Sequence, residues 1–295
     1  MENLFDIIVI GGGPAGISAG IYAHRAGMNV LVIDGRDSTL KQAKKIDNYY
    51  GVFNISGEEL IQKGIDQYVE LGGAYKEAKV VSVKQNFESK TFTVKATCGE
   101  YCSKAVILCT GTSKKKTLPQ LEKYEGTNVS YCAVCDGFFY RGLKVAVIGD
   151  GDFAFNECEE LSSVANQIYL ITENKNVPNI KNVQVVQKKV ADFVGENKVE
   201  GVVFEDSSRL NVDGVFVALG TMSSFDIAKR LGILMKNNFV LVDKNYMTNI
   251  AGVFAGGDAI GGLLQVSKAV SDGANAGLEA TRYIKVMEHY GREGN

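Results

Sequence analysis

Residues 6–34 read "DIIVIGGGPAGISAGIYAHRAGMNVLVID", and the order of the parts in this stretch decides the fold class. The apolar run 7–10 has the length and branching of a buried parallel strand, and it breaks at Gly11-x-Gly13-x-x-Gly16. A helix of small residues follows over 17–26, then a second apolar run over 30–33 that closes on Asp34. Gly11 permits the tight turn, Gly13 lets the backbone approach a pyrophosphate, and Gly16 lets the helix pack on the strand. The helix N-terminus presents N–H groups and a partial positive charge to phosphates. Asp34, 18 residues after Gly16, stands where a carboxylate accepts from a ribose hydroxyl.

The same spacing returns in "KVAVIGDGDFAFNECEEL" (144–161), with Gly149, Gly151 and Ala154. The offset is 138 residues, a domain-sized interval. The duplication predicts an α/β protein of two Rossmann-like dinucleotide-binding domains (three-layer ββα), the pattern of flavoproteins that carry FAD and a pyridine nucleotide. Near the C-terminus, residues 248–284 supply another strand, then Gly256-Gly257-Asp258 and a long small-residue helix from about Leu264. Asp258 suits ribityl or water-bridged phosphate groups, and equally an ordinary turn with an N-cap aspartate.

Composition agrees with two soluble domains: 295 residues, 45% hydrophobic and 22% charged. A net charge of −2 offers no field that would recruit nucleic acid. No apolar run approaches the ~20 residues that span a bilayer. The N-terminus has no basic region of the kind that opens a secretory signal, so the expected location is cytoplasmic.

"SYCAVCDGFF" (130–139) places Cys132 and Cys135 in a C-x-x-C. Such a pair holds zinc, forms a static disulfide or shuttles electrons. Zinc needs a second ligand pair, which Cys98-Gly-Glu-Tyr-Cys102 keeps formally open; the only histidines, His24 and His289, lie far from either pair in sequence. A reducing compartment favours the redox pair over a static bridge. Cys98, Cys102, Cys109 and Cys158 read as small buried or surface residues.

With these motifs go "IDNYYG" (46–51), "ISGEEL" (55–60), "LCTGT" (108–112), "CAVCDG" (132–137), "VFVALGT" (215–221), "VFAGGDA" (253–259) and "LQVSKAVSDGANA" (264–276). The chain resembles the low-molecular-weight thioredoxin reductase family along nearly its whole length. The resemblance implies a discontinuous FAD-binding domain, 1–113 and 245–295, into which a pyridine-nucleotide-like domain bearing the dithiol, 114–244, is inserted. It implies a homodimer whose domains rotate to alternate dithiol access between flavin and thioredoxin. Cys135 would face the flavin, Cys132 would attack the thioredoxin disulfide, and Asp136 would protonate the departing thiolate, although Asp-Gly is also a turn signal. Gly11, Gly13, Pro14, Ala15 and Gly16 would surround the FAD pyrophosphate, with Asp34 at the adenosine ribose and Gln42 and Asn48 on the flavin side. Thr110 and Gly111 would pass close to the cofactor, Asp258 would reach the ribityl-phosphate region, and Gln265 and Val266 would border the flavin pyrimidine.

One region departs from the family pattern. NADPH-using members carry arginines after the second strand of the inserted domain, and here no arginine occurs between Arg141 and Arg209. Glu173 is expected at that strand end, Asp150 and Asp152 flank Gly151, and bulky Phe153 replaces a small residue. These charges oppose a phosphate. The pattern resembles the ferredoxin-dependent flavin thioredoxin reductases, which lack NADPH motifs. The alternatives are an NADH- or NADPH-dependent reductase, with Glu173 on the NADH ribose, and a flavin-bound redox sensor without turnover. A small acidic ferredoxin would dock on basic residues near the flavin, for which Lys41, Lys44 and Lys45 are candidates and Lys114, Lys115 and Lys116 a weaker set.

Overall fold

The computed structural model describes residues 4–112, 117–220 and 222–293. Strand β1 (Leu4–Ile10) passes through the first glycine turn into helix α1 (Pro14–Arg25), and β2 (Val30–Asp34), α2 (Gly57–Glu70) and β3 (Ala74–Glu77) follow. Residues 7–10 and 30–34 are buried throughout, as the central strands of a covered parallel sheet must be. Helix α2 is capped by the Ser56 hydroxyl, which accepts from Glu59 N at 3.1 Å, and it buries Ile61, Ile65 and Tyr68 on one face. A meander of β4 (Val80–Asn86), β5 (Thr91–Ala96) and β6 (Gly99–Leu108) completes the order β3-β2-β1-β6-β5-β4. In β5, Phe92, Val94 and Ala96 are buried and the alternate residues are not, the signature of an antiparallel strand with one covered face.

The chain then builds β7 (Val129–Ser130), the short helix α3 (Ala133–Asp136), β8 (Lys144–Ile148), α4 (Asp152–Leu161), β9 (Gln167–Ile171) and β10 (Val183–Val186). An antiparallel ribbon, β11 (Val190–Val194), β12 (Gly201–Phe204) and β13 (Arg209–Asn211), precedes β14 (Gly214–Val217). The parallel sheet has the order β10-β9-β8-β14-β7. Its core holds Ile148, Ile171, Phe193, Val202 and Val215.

Helix α5 (Ser224–Leu231), β15 (Met235–Lys236), β16 (Phe239–Val240), β17 (Val253–Ala255) and helix α6 (Val266–Glu293) finish the fold. β17 pairs in parallel with the last residues of β6, beyond the stretch of β6 that pairs with β5. Helix α6 lies along α1 at a distance only small residues allow: a Cβ on Gly273 would sit 2.0 Å from Ala15 O, and one on Gly277 2.5 Å from Ala19 O.

The chain divides into two compact units, residues 1–114 with 223–295 and residues 115–222. Residues 223–244, which the resemblance assigns to the insertion, therefore belong to the first unit. A capping box between Ser223 and Asp226 starts α5. Asn249 then ties the end of α5 back, accepting from Leu234 N at 2.8 Å and donating to Gly232 O at 3.0 Å. Among the described residues no helix is long and apolar enough to cross a membrane.

Candidate active site

In the first unit, the glycine turn is shaped by contacts that no larger residue permits. A Cβ on Gly11, whose φ is +106°, would lie 2.3 Å from Cys109 O, and one on Gly16 1.8 Å from Gly11 O. A Cβ on Gly12 would meet the Asp34 side chain at 2.5 Å. Gly13 differs: its Cβ would come no nearer than 3.7 Å, to Ser38 Oγ. The protein itself leaves that position open. Gly13 is also the N-cap of α1, with no side-chain cap and no acid in the first turn, so the N–H groups there are available to an anion. Thr110 and Gly111 follow β6 beside Gly11, and a Cβ on Gly257 would lie 2.7 Å from that of Ala15. Thus Gly11, Gly13, Pro14, Ala15, Gly16, Asp34, Thr110, Gly111 and Asp258 gather around one helix N-terminus.

Asp34 is buried and already engaged: Tyr75 Oη donates to it at 2.9 Å and Arg36 N at 3.0 Å. Burial first, then the Asp34 charge, raises the Tyr75 hydroxyl above its ordinary value, keeping it a donor. Burial likewise pushes the Asp258 carboxyl up; Lys268 pulls against this and the Asp272 charge adds to it. Asp272 holds the loop in place, accepting from Gly257 N at 3.1 Å and Lys268 Nζ at 2.5 Å.

Asn48 and Gln265 meet as well. Asn48 Nδ2 donates to Gln265 Oε1 at 2.8 Å, one residue before Val266 opens α6. Gln42 ends a 3₁₀ turn and is exposed. Next to it, residues 46–55 fold back on themselves through Ile46 N donating to Ile55 O at 2.8 Å, which leaves Tyr50 and Phe53 exposed. Of the three lysines, Lys45 is paired with Asp47 at 2.8 Å and lies 5.5 Å from the Phe53 ring centroid. Lys41 and Lys44 stand on the same segment; Lys114, Lys115 and Lys116 lie outside the described residues.

The second unit repeats the backbone and changes the chemistry. Gly11 N donates to Ile33 O, and Gly149 N donates to Ile171 O. This register makes Asp150 the counterpart of Gly12 and Thr172, not Glu173, the counterpart of Asp34. The Asp150 carboxylate fills the gap between them, accepting from Thr172 Oγ1 at 2.6 Å and Glu173 N at 2.5 Å. Glu173 is exposed and lies 3.8 Å from Lys189. Asp152 adds a charge to the first turn of α4, and Phe153 is buried. Gly151 itself, like Gly13, has room in front of it, but an acidic turn, with Asp150 and Asp152 on either side, stands where the first unit has an acid-free one.

Cys132 and Cys135 form a disulfide, S–S 2.09 Å. Cys132 is buried and Cys135 half-buried, and Cys135 N donates to Cys132 Sγ at 3.2 Å, capping α3. Ser130 Oγ donates to Asp136 Oδ2 at 2.6 Å and accepts from Cys132 N at 3.1 Å, so one hydroxyl joins the acid to the first cysteine. Glu157 of α4, 1% exposed, accepts from Ala133 N at 2.6 Å. Cys109 and Cys158 are different: burial pushes both thiols up to about 12.

A family model for pyridine nucleotide-disulphide oxidoreductases matches residues 5–273. The chain belongs to that family. A thioredoxin reductase from Ureaplasma parvum is 32% identical, over 96% of this chain and 98% of the relative. Among solved structures, an atypical thioredoxin reductase, TRi, from Desulfovibrio vulgaris Hildenborough superposes with a TM-score of 0.85 at 35% identity, covering 95% of this chain and 98% of that one. A ferredoxin-flavin thioredoxin reductase from Clostridium acetobutylicum follows at TM-score 0.70 and 30% identity, covering 96% and 99%.

Within this oxidoreductase frame, four functional candidates escape sequence reasoning: Tyr75, Ser130, Glu157 and Asp272. Ser130 stands in the quoted dithiol segment, and its hydroxyl beside an acid six residues on is a usable signal. Tyr75 and Glu157 act across 41 and 24 residues, and only the fold joins them to their partners.

Proposed function

We propose that this oxidoreductase reduces the disulfide of a thioredoxin through Cys132 and Cys135, with FAD in the first unit and reduced ferredoxin as electron donor. One observation carries the choice of donor: the Asp150 carboxylate, bonded to Thr172 and Glu173 N, fixes an acid in the second dinucleotide turn, where it opposes a phosphate. The open Gly13 position and the uncapped, acid-free start of α1 fit a dinucleotide pyrophosphate. Asp34 would take the adenosine ribose, Asp258 the ribityl-phosphate region, and Asn48, Gln42, Gln265 and Val266 the flavin. Bound FAD would join a one-electron donor to a two-electron disulfide.

The protein's own groups then act in sequence. The Cys132 thiolate attacks the partner disulfide, forming a mixed disulfide and expelling one partner sulfur, which the Asp136 carboxyl protonates. Cys135 attacks Cys132 Sγ, restores the Cys132–Cys135 bond and releases the second partner thiol. Ser130 keeps Asp136 beside the pair throughout. A small acidic donor would meet Lys41 and Lys44 beside the exposed Tyr50 and Phe53, while Lys45 is already neutralised by Asp47. Kinship with the thioredoxin reductases supports a homodimer in the same proposal.

Turnover with thioredoxin tests this reading, each donor supplied alone under anaerobic conditions. Reduced ferredoxin is expected to sustain thiol formation and NADPH to give none. Thiol formation with NADPH and none with ferredoxin would overturn the choice of donor.

A further inference from the structure

Glu157 is a buried acidic residue on α4, the helix that follows the second glycine turn. Its Oε2 receives the N–H of Ala133, the residue between Cys132 and Val134 and the first of the four residues of α3. Cys132 Sγ in turn receives the N–H of Cys135. A carboxylate, two backbone amides and a sulfur thus form one compact cluster inside the second unit. A 2.6 Å contact from an N–H is short, as charge-assisted hydrogen bonds are. Asp136, held by Ser130, brings a second carboxyl to the same pair.

We propose that Glu157 is a positioning residue for the dithiol: it anchors the first turn of α3 through Ala133 N and makes the reduced pair a stronger reductant. This rests on the reading of Cys132 and Cys135 as the redox centre. Backbone N–H groups at the start of a helix ordinarily favour a thiolate at the cap. Glu157 occupies one of those donors, and an ionised carboxyl bonded to the residue next to Cys132 would disfavour ionisation of the sulfur as a like charge does. A thiolate that is disfavoured leaves the dithiol less stabilised relative to the disulfide. Reduction takes two electrons and two protons, breaks the S–S bond and forms two S–H groups; withdrawing stabilisation from that product lowers the potential.

The test poises the flavin-loaded protein against dithiothreitol and its oxidised form at pH 8, under anaerobic conditions. The thiol fraction of Cys132 and Cys135 is read by alkylation and mass, and the flavin by its absorbance in the same sample. Glu157→Gln keeps the acceptor and the shape while removing the charge. Its equilibrium is expected to move about tenfold toward the dithiol, a rise of ~30 mV. Ala133→Pro removes the amide and leaves the charge, at a helix position that tolerates proline. It is expected to move the equilibrium severalfold toward the disulfide.

An unchanged equilibrium in Glu157→Gln would overturn the proposal and reduce Glu157 to a cap. If that variant fails to fold, Ala133→Pro decides alone: a shift toward the disulfide supports the proposal, and no shift or the opposite shift overturns it. A native pair that does not exchange with dithiothreitol at all would instead overturn the redox reading itself.

Discussion

The two glycine turns share a backbone and differ in side chains, Asp150 in place of Gly12 above all. In the first, Gly12 lies against Asp34, and the space in front of α1 is bounded by Gly13, where a Cβ would come no closer than 3.7 Å to Ser38 Oγ. In the second, Asp150 replaces Gly12 and spends its carboxylate on Thr172 and the backbone beyond it. A Cβ on Gly149 would still lie 2.1 Å from Ala218 O, so packing keeps that glycine whether or not a nucleotide binds. The difference teaches that a dinucleotide motif has two layers. Some glycines are required by the strand–helix junction, and others only by the ligand.

The largest expected effect separates the units by chemistry. Cys132→Ser and Cys135→Ser should each abolish thioredoxin reduction and leave flavin absorbance intact. Cys135→Ser should also accumulate a mixed disulfide with thioredoxin, visible by mass, because the resolving thiol is gone. Accumulation in Cys132→Ser instead would exchange the two roles.

The next pair of variants strikes the two turns at matched positions. Gly13→Ala has room for its methyl group and a φ of −74° that alanine adopts, so the fold should persist while FAD affinity falls by tenfold or more, about 1.4 kcal/mol. Gly151→Ala, extended at φ 178° with nothing within 4 Å, should change neither flavin content nor turnover with ferredoxin. Equal losses at both sites, measured by flavin release and turnover, would end the distinction between the turns.

Charge reversal at Lys41 and Lys44 should raise KM for ferredoxin by about five- to tenfold, with a weakened salt dependence and little change in kcat for thioredoxin. The smallest effect compares the two cores. Cys109 in the first unit and Cys158 in the second have thiols pushed up to about 12 by burial. Both should stay unmodified by an alkylating reagent at pH 8 in the native protein, while exposed Cys98 reacts.

Much of this was legible in the sequence where a local rule forces a residue. The first turn is such a case, since Gly11 and Gly16 are demanded by backbone contacts that the G-x-G-x-x-G spacing encodes. The dithiol is another, because Cys132, Cys135 and Asp136 share one short segment. The counterpart of Asp34 was legible as well: the 138-residue offset carries position 34 to Thr172 and not to Glu173, and Gly149 N pairing with Ile171 O holds that register. The return of the chain at Ser223 was not legible. Its capping box is local, but the allegiance of 223–244 to the first unit comes from bonds such as Asn249 to Leu234. Asn48 and Gln265 were each expected near the flavin, yet their mutual bond spans 217 residues.

The central claim is that the second turn is closed to pyridine nucleotides. Calorimetric titration of the purified, flavin-loaded protein with NADPH and then NADH tests it most directly. The account predicts no heat of binding for either up to millimolar concentration. A micromolar Kd for either nucleotide, lost on substitution of Thr172 or Glu173, would contradict it.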